Sequence, residues 1–275
     1  MIKPIAIQGI KGSFHHEVVQ KYFNLDAEVV ECMSFDSVVD SLLQGHSDTI
    51  VMALENSIAG SIIPNYALID NHNLNIIGEY YLDIQHNLMA LKEQTISEIL
   101  EVHSHPMALL QCKVFFKDYP HIKLVEAKDT ADVAKQIAEQ NLKGIAAIAS
   151  KGAAQLYNLE VLAESIQTIK HNETRFVVVK SENAEIDETR VNKVSLKFEL
   201  DHKRGSLATI LNVMSDCKLN LTKIQSLPKI ETPWKYAFFV DATFEDYKDF
   251  DIAHSIMKIM AENFKVLGQY KNARL

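Results

Sequence analysis

Short apolar segments alternate with segments of helical periodicity along the first 150 residues, and this alternation constrains the fold more than any other feature. Extended segments are predicted at residues 5–8, 28–32 and 49–54, and helices at 13–22, 35–43 and 65–70. Parallel strands need a crossover connection, which is most often a helix. The alternation therefore predicts an α/β architecture with a largely parallel sheet.

The pattern changes near residue 76, where two longer extended stretches follow one another at 76–84 and 86–91. Helices at 106–116 and 130–140 and strands at 122–125 and 145–149 then restore the alternation. This change predicts a second α/β lobe that is entered and left through extended segments. A cleft between the two lobes follows, and ligands favour such clefts and the carboxyl ends of parallel strands.

The segment 181–192 is charged and nearly free of large apolar residues, so it is the best linker candidate. The order after it is strand, helix, strand, strand, helix, strand, at 194–200, 206–217, 219–226, 234–243, 250–263 and 264–270. This βαββαβ order in about 80 residues predicts a ferredoxin-like domain. Its first helix carries Leu207, Ile210, Leu211 and Met214 on one face, ready to pack on a sheet.

Composition excludes several classes of protein. The net charge is −8 and no basic patch stands out, which argues against a nucleic-acid partner. No apolar run has the length of a signal peptide or a membrane span, and three unpaired cysteines fit a reducing compartment, so we expect a cytoplasmic protein with no membrane partner. An anionic ligand would be repelled by the net negative charge of the protein, so local hydrogen-bond donors would have to hold it.

No metal or cofactor is expected. The pair His103 and His105 lacks a carboxylate or cysteine partner at a familiar spacing, and the three cysteines lack a neighbouring histidine. The spacing of Gly9 and Gly12 is too short for a dinucleotide or Walker loop, and the Walker lysine is missing. The polar clusters at predicted strand ends must therefore work with the protein's own donors, an arginine or backbone N–H groups at helix starts and tight turns.

Five of these clusters, read in order, resemble the prephenate dehydratase family. They are GIKGSF near the start, ENSIAGS at 55–61, SHPMALLQC at 104–112, AAIAS at 146–150 and NETRF at 172–176. The tail from Lys193 resembles the ACT regulatory domain that follows the catalytic domain in this family. The resemblance implies a two-lobed catalytic domain of periplasmic-binding-protein type over 1–182, with lobes at about 1–80 plus 158–182 and at 81–157, and an ACT domain over 193–275.

The same resemblance implies roles for individual residues. It makes Thr174 the proton donor to the leaving hydroxyl and adds Glu55, Asn56 and Gln111 to the catalytic set. The residues implied in substrate binding are Ser13, Ser57, Gly60, Ser104, Arg175 and Phe176. The chain departs from the family at Met107, where a glutamine is usual.

The geometry of a strand leaves the role of Arg175 open. If residues 174–176 are extended, alternation turns Arg175 away from its two neighbours. Arg175 then either binds the substrate carboxylate that is retained or serves the scaffold, and Phe176 serves packing.

The implied reaction turns prephenate into phenylpyruvate, water and carbon dioxide. Aromatisation supplies the driving force, so one proton donor and a shaped pocket suffice. Arogenate dehydration stays open as an alternative, because the two substrates differ in one amino group. So does a sensor of the same fold that binds amino acids without catalysis.

The ACT resemblance implies phenylalanine as an allosteric ligand and a homodimer or homotetramer as the assembly. The effector residues it implies are Gly205, Ser206, Leu207 and Ala208 at a helix start, and Gln225, Ser226, Leu227 and Pro228 at a strand end. The family usually has glutamate and arginine where this chain has Gln225 and Leu227. The resemblance implies phenylalanine feedback, with two of the family's effector residues replaced.

Overall fold

The computed structural model describes residues 4–23, 27–182, 186–201, 203–228 and 235–274. The strands are β1 Ile5–Gln8, β2 Val29–Cys32, β3 Thr49–Asn56, β4 Gly60–Ser61, β5 Asn75–Asp83, β6 Asn87–Ala90, β7 Glu101–Ser104, β8 Lys123–Glu126, β9 Ile145–Ala149, β10 Glu160–Ala163, β11 Glu173–Lys180, β12 Lys193–Glu199, β13 Asn220–Pro228, β14 Tyr236–Thr243 and β15 Glu262–Tyr270. The helices are α1 Phe14–Phe23, α2 Phe35–Leu43, α3 Ile63–Asn71, α4 Pro106–Cys112, α5 Thr130–Gln140, α6 Lys151–Leu156, α7 Ser206–Asp216 and α8 Tyr247–Met260, with short 3₁₀ turns at Ile96–Glu98 and Phe115–Asp118.

The chain divides into two compact units. The first unit contains Met1–Gly60 and Leu82–Phe176, and the second contains Ser61–Tyr81 and Val177–Leu275. This division places residues 61–81 with the C-terminal part of the chain. It differs from the boundary expected at the linker, and the assignment of 1–182 and 193–275 to two functional domains stays a prediction.

The first unit contains two sheets. In the first, β1 pairs in parallel with both β2 and β3, and β11 lies beside β3. The first six residues of β3 are all buried, as expected for a parallel strand covered on both faces. Helices α1 and α2 pack against β1 and β3. Ser34 caps α2 reciprocally with Ser37, which explains why that helix begins at the predicted residue.

The second sheet of this unit has the order β10-β6-β9-β7-β8, in which β7 is parallel to both β8 and β9. Separate clusters of buried apolar residues contain Ile148 and Met89. Strands β7 and β10 and helix α6, each six residues or shorter, were not predicted from the sequence. Because β10 pairs with β6, residues 160–163 belong to this sheet, whereas the lobe boundary was expected at about 158; the division into lobes stays a prediction.

The second unit contains the βαββαβ tail, whose four strands form an antiparallel sheet in the order β13-β14-β12-β15. Helices α7 and α8 contribute Ile210, Met214 and Phe250 to its core, so the ferredoxin-like prediction is confirmed. Strand β5 joins β15 in parallel at Ile76 and Gly268. A Cβ on Gly268 would overlap the carbonyl oxygen of Ile76, so this crossing requires glycine.

Strand β12 is buried on both faces. Its even-numbered residues, including Val194 and Phe198, enter the apolar core. Its odd-numbered residues are polar and paired. Lys193 Nζ lies 3.0 and 2.8 Å from the two carboxylate oxygens of Glu79, and Lys197 Nζ lies 2.7 Å from Glu199 Oε1. These pairs compensate charges that burial would otherwise penalise.

Two predicted helices have different bounds in the structure. The helix expected at 106–116 ends at Cys112 and is followed by the 3₁₀ turn Phe115–Asp118. The helix expected at 250–263 begins three residues earlier, because the Asp246 side chain accepts the backbone N–H of Lys248. Trp234, where the fourth predicted element of the tail begins, lies outside the described residues. No helix within the described ranges has both the length and the apolar content needed to span a bilayer.

Candidate active site

Asn56, at the end of β3, is the centre of a side-chain network in the first unit. Its Oδ1 accepts two backbone N–H groups of the following turn, from Ile58 at 3.0 Å and Ala59 at 2.8 Å. These two donors determine which end of the amide is oxygen, so Nδ2 must face the other way. There it donates to Asn172 Oδ1 at 2.7 Å and to Thr174 Oγ1 at 2.8 Å.

Thr174 lies on β11, beside β3, and 7% of its surface is exposed. Its hydroxyl oxygen accepts the hydrogen bond from Asn56, and none of the described residues accepts a hydrogen bond from the hydroxyl. The hydroxyl hydrogen is therefore available to a ligand. A threonine whose oxygen is held by a donor and whose hydrogen is free is arranged as a proton donor.

Asn172 extends this network to α4 and to the segment that precedes β6. Its Nδ2 donates to Gln111 Oε1 at 2.9 Å, and His86 Nε2 lies 2.9 Å from the same oxygen. Asn172 is fully buried, and the backbone N–H of Thr168 donates to the backbone carbonyl of Gln111 at 2.9 Å. The amide nitrogen of Gln111 has no acceptor among the described residues and is open to solvent. The network thus offers two neutral donors, at Thr174 and at Gln111.

Arg175 faces away from this network. It is 1% exposed, and its Nη1 donates to Glu55 Oε1 at 3.3 Å. The alternation along β11 separates Arg175 from Thr174, as the sequence indicated. Glu55 likewise points to the opposite side of β3 from Asn56, so the Glu55–Asn56 pair is split between two roles.

Ser57 fastens the turn after β3 to the start of β11. Its N–H donates to the carbonyl of Glu173 at 2.8 Å, and its Oγ accepts the N–H of Glu173 at 2.9 Å. Gly60 is exposed and has a positive φ of 83°, with open space where a Cβ would stand. Backbone conformation therefore favours glycine at this position more than crowding does.

Three residues expected to bind substrate have other partners. The hydroxyl of Ser104 is buried and donates to the Ile148 carbonyl at 2.7 Å, so it serves the sheet. Phe176 is 2% exposed, and its ring meets His15 edge-on with 4.9 Å between the centroids, so its contacts are packing contacts. Ser13 caps α1 by accepting the His16 N–H at 3.3 Å, and it borders a cavity of about 300 Å³.

Burial controls the protonation of the groups around the network. It lowers the pKa of His86, an effect that the hydrogen bond to Gln111 only partly opposes, so this imidazole is neutral. Burial also raises the pKa of the Cys112 thiol to about 12, which leaves it unreactive. Within the described ranges, no group of three or more histidine, cysteine or carboxylate side chains could hold a metal ion.

Sequence reasoning missed Asn172 and His86. Asn172 belongs to the NETRF cluster, and its position two residues before Thr174 on an extended segment was a signal that the two side chains share a face. His86 lies between β5 and β6, and the sequence showed it only as a polar residue at the start of the extended stretch expected at 86–91. Nothing in its spacing linked it to Gln111, because 25 residues separate them.

The expected effector residues lie in two places of the second unit. Gly205 has a positive φ of 87° and precedes α7, where its carbonyl accepts the Thr209 N–H at 2.9 Å. Gln225 and Leu227 lie on β13, and Leu227 is 9% exposed. The remaining members of the set are Ser206, Leu207 and Ala208 on α7 and Ser226 and Pro228 on β13.

Two annotated relatives match nearly the whole chain. The arogenate dehydratase/prephenate dehydratase 2 of Arabidopsis thaliana is 34% identical over 278 residues, 97% of this chain and 72% of the relative. A bifunctional chorismate mutase/prephenate dehydratase of Buchnera aphidicola is 31% identical over 272 residues, 97% of this chain and 70% of the relative.

Two solved structures share the fold. A prephenate dehydratase of Arthrobacter aurescens in complex with L-Phe superposes with a TM-score of 0.89 at 24% identity, covering 98% of this chain and 90% of that one. A protein described as a quorum-quenching acylase superposes with a TM-score of 0.87 at 23% identity over 98% of both chains. Identities this low establish the fold alone, and one fold can carry more than one reaction.

The assignment to a family rests on sequence. The family model described as prephenate dehydratase matches residues 5–184, which include every member of the Asn56 network. That model covers well over half of the chain, and the relatives above extend the match to its tail. The chain belongs to the prephenate dehydratase family.

Proposed function

We propose that this protein is a prephenate dehydratase, a carbon–oxygen lyase of L-phenylalanine biosynthesis that converts prephenate to phenylpyruvate. The observation that carries the proposal is the Thr174 hydroxyl, whose oxygen is held by Asn56 at 2.8 Å while its hydrogen has no acceptor among the described residues. Family membership supports the reaction, and the geometry supports the roles of these two residues.

The reaction balances with one proton donor. The bond from the ring to its carboxylate breaks, carbon dioxide leaves, and the bonding electrons complete the aromatic ring as the ring hydroxyl departs. Thr174 gives its proton to the departing oxygen to form water, and solvent returns a proton to Thr174. Asn56 stabilises the negative charge that develops on Oγ1, because its Nδ2 already donates there.

The neutrality of the network suits a decarboxylation. A carboxylate that leaves as neutral carbon dioxide would be retained by a fixed cation, since ground-state stabilisation raises the barrier. The buried Arg175 is paired with Glu55 on the opposite side of the strands, and the open donors are a hydroxyl and an amide. We assign Gln111 to hydrogen bonding with an oxygen of the substrate, and Arg175 with Glu55 to the scaffold.

Of the remaining expected residues, Ser57 is assigned to holding the turn after β3, and Gly60 to the open edge of that turn. Ser13 keeps its expected place at the start of α1, where Phe14 contacts the His86 ring edge-on at 5.7 Å. Ser104 and Phe176 are assigned to packing, on the contacts described above.

The direct test is product analysis with purified protein. Incubation with prephenate is expected to yield phenylpyruvate and carbon dioxide in equal amounts, detected by mass spectrometry. Arogenate is the second candidate substrate, favoured by the name of the Arabidopsis relative, and it would yield phenylalanine instead. Saturable binding of either compound without turnover would contradict the enzyme proposal and support a sensor.

We further propose that residues 193–275 form an ACT regulatory domain that binds phenylalanine, in a cytoplasmic homodimer or homotetramer. Support comes from the ferredoxin-like fold, from Gly205 in a left-handed conformation before α7, and from the L-Phe complex of the Arthrobacter structure. Calorimetry with phenylalanine and sedimentation analysis test these two points. An absence of saturable binding would contradict the effector assignment.

A further inference from the structure

His86 is a buried imidazole that the proposed reaction does not use. It lies between β5 and β6 with 4% of its surface exposed. The backbone N–H of His86 donates to Gln167 Oε1 at 3.0 Å, and its backbone carbonyl accepts the Ile166 N–H at 2.8 Å. The Phe14 ring packs edge-on against the imidazole, with 5.7 Å between the ring centroids. Backbone and ring are therefore held together in one orientation.

The hydrogen-bond polarity of the whole network determines the tautomer of this imidazole. Two backbone N–H groups orient the Asn56 amide, so its Nδ2 faces Asn172 Oδ1. Asn172 Nδ2 must then face Gln111, which presents Oε1. Since His86 Nε2 lies 2.9 Å from the same oxygen, it must carry a hydrogen and donate it. His86 Nδ1 is buried without a partner among the described residues, which agrees with a ring that is protonated on Nε2 alone.

Two donors on one oxygen restrain the Gln111 amide. With Oε1 accepting from Asn172 and His86, rotation of the amide by half a turn would place its NH₂ group against two donors. The NH₂ group therefore stays on the open side, where it can donate to a substrate oxygen. If the His86 donor is removed, Asn172 alone restrains the Gln111 amide. The amide can then rotate and present its oxygen, instead of its NH₂ group, to the substrate oxygen.

We propose that His86 is a positioning residue: as a neutral imidazole protonated on Nε2, it holds the Gln111 amide with its NH₂ group toward the substrate. This assignment rests on the proposed function, because it gives Gln111 a substrate oxygen to bind. His86 itself acts through Gln111.

The test compares three variants by steady-state kinetics with prephenate and arogenate. His86→Leu removes the donor, and His86→Gln replaces Nε2–H with an amide N–H at a similar distance from the backbone. His121→Leu, at an exposed histidine of the same unit, is the matched control. We expect His86→Leu to lower kcat/KM about tenfold, the effect of losing one neutral hydrogen bond, and His86→Gln to stay within about threefold of wild type on the same basis.

A second measurement does not depend on turnover. Nitrogen-15 NMR of histidine-labelled wild-type protein at neutral pH is expected to show His86 with a protonated Nε2 and an unprotonated Nδ1. An Nδ1–H tautomer, or an imidazolium, would overturn the assignment. This readout also stands if His86→Leu fails to fold.

The outcomes separate the two proposals. If wild type turns over neither substrate, the proposed function fails and the role of His86 fails with it. If wild type is active and His86→Leu matches His121→Leu, the role of His86 alone is overturned. Equal losses in His86→Leu and His86→Gln would also overturn it, because a donor would then not be what the position supplies.

Discussion

Replacement of Thr174 by valine tests the proposed acid with little change of shape. Valine keeps the β-branched form that suits a buried strand position and removes only the hydroxyl. Thr174 as a residue is 7% exposed, and its hydroxyl oxygen accepts one hydrogen bond, from Asn56 Nδ2 at 2.8 Å. The substitution therefore removes one acceptor and the only proton that the reaction needs from the side chain.

The expected loss of stability is small. Asn56 Nδ2 keeps Asn172 Oδ1 at 2.7 Å and can turn its second hydrogen to the Glu173 carbonyl at 3.3 Å. No buried donor is left unpaired, so Thr174→Val should lower the free energy of unfolding by about 1 kcal/mol. In a chain of this size that is a decrease of roughly 2–4 °C in Tm. With a total of about 5–15 kcal/mol available, nearly every molecule stays folded.

The expected loss of activity is much larger. A positioned general acid contributes about 10²–10⁴-fold to the rate, so kcat should fall by that factor in Thr174→Val. Thr174→Ser keeps the hydroxyl and should retain most of it. The matched control is Thr222→Val on β13, which removes a hydroxyl that donates a hydrogen bond to the Asp241 carbonyl at 3.2 Å. This control is expected to have wild-type kcat.

The assay is phenylpyruvate formation at saturating prephenate, with Tm measured on the same samples. If Thr174→Val keeps kcat within tenfold of wild type while its Tm stays close to wild type, the hydroxyl is not the acid. A comparable loss in the Thr222→Val control would refute the reasoning in another way, because hydroxyl loss in a strand would then be harmful anywhere.

Three further outcomes follow from the contacts of individual residues. Arg175→Lys should lower the free energy of unfolding by about 1–3 kcal/mol, because the buried guanidinium contacts Glu55, and should leave KM unchanged within about twofold. A tenfold rise in KM, with stability in urea unchanged, would instead show that Arg175 binds substrate. Burial lowers the pKa of His15 to about 3, so below pH 6.5 the unfolded chain binds a proton at His15 that the folded protein does not bind. The free energy of unfolding is therefore highest above about pH 6.5 and declines as the pH falls toward 3. Between pH 7 and pH 5 wild type should lose about 2 kcal/mol more than His15→Phe, and equal losses in urea titrations would contradict this. Asn172→Asp should destabilise the protein more than Asn172→Ala by thermal unfolding, because it places a buried carboxylate oxygen against Gln111 Oε1; the reverse order would show that the amide polarity is wrong.

The order of elements was readable from sequence because it is local. The apolar run of β3 and the helical period of α5 each lie within eleven adjacent residues or fewer, so both can be recognised without tertiary contacts. The tail was readable for the same reason. Strands of four residues such as β10 have too few residues to show a period, so pairing with β6 decides that they are strands.

The site was readable only in part. The motifs placed Thr174 and Asn56 in one set, and alternation correctly separated Arg175 from Thr174. The partner of Arg175 was not readable, since Glu55 is 120 residues away in the chain and only the pairing of β3 with β11 brings the two together.

By itself, the sequence determined the α/β and ferredoxin-like patterns, the family and the side chains able to do chemistry, because these depend on residue types and on spacings of a few residues. Tertiary structure decided what each side chain contacts. It paired the Ser104 hydroxyl with the Ile148 carbonyl. It also joined four side chains into one network with a single hydrogen-bond direction, those of Asn56, Asn172, Gln111 and His86. The physical reason is that hydrogen-bond direction depends on partners distant in the chain, and those partners meet only when the sheets form.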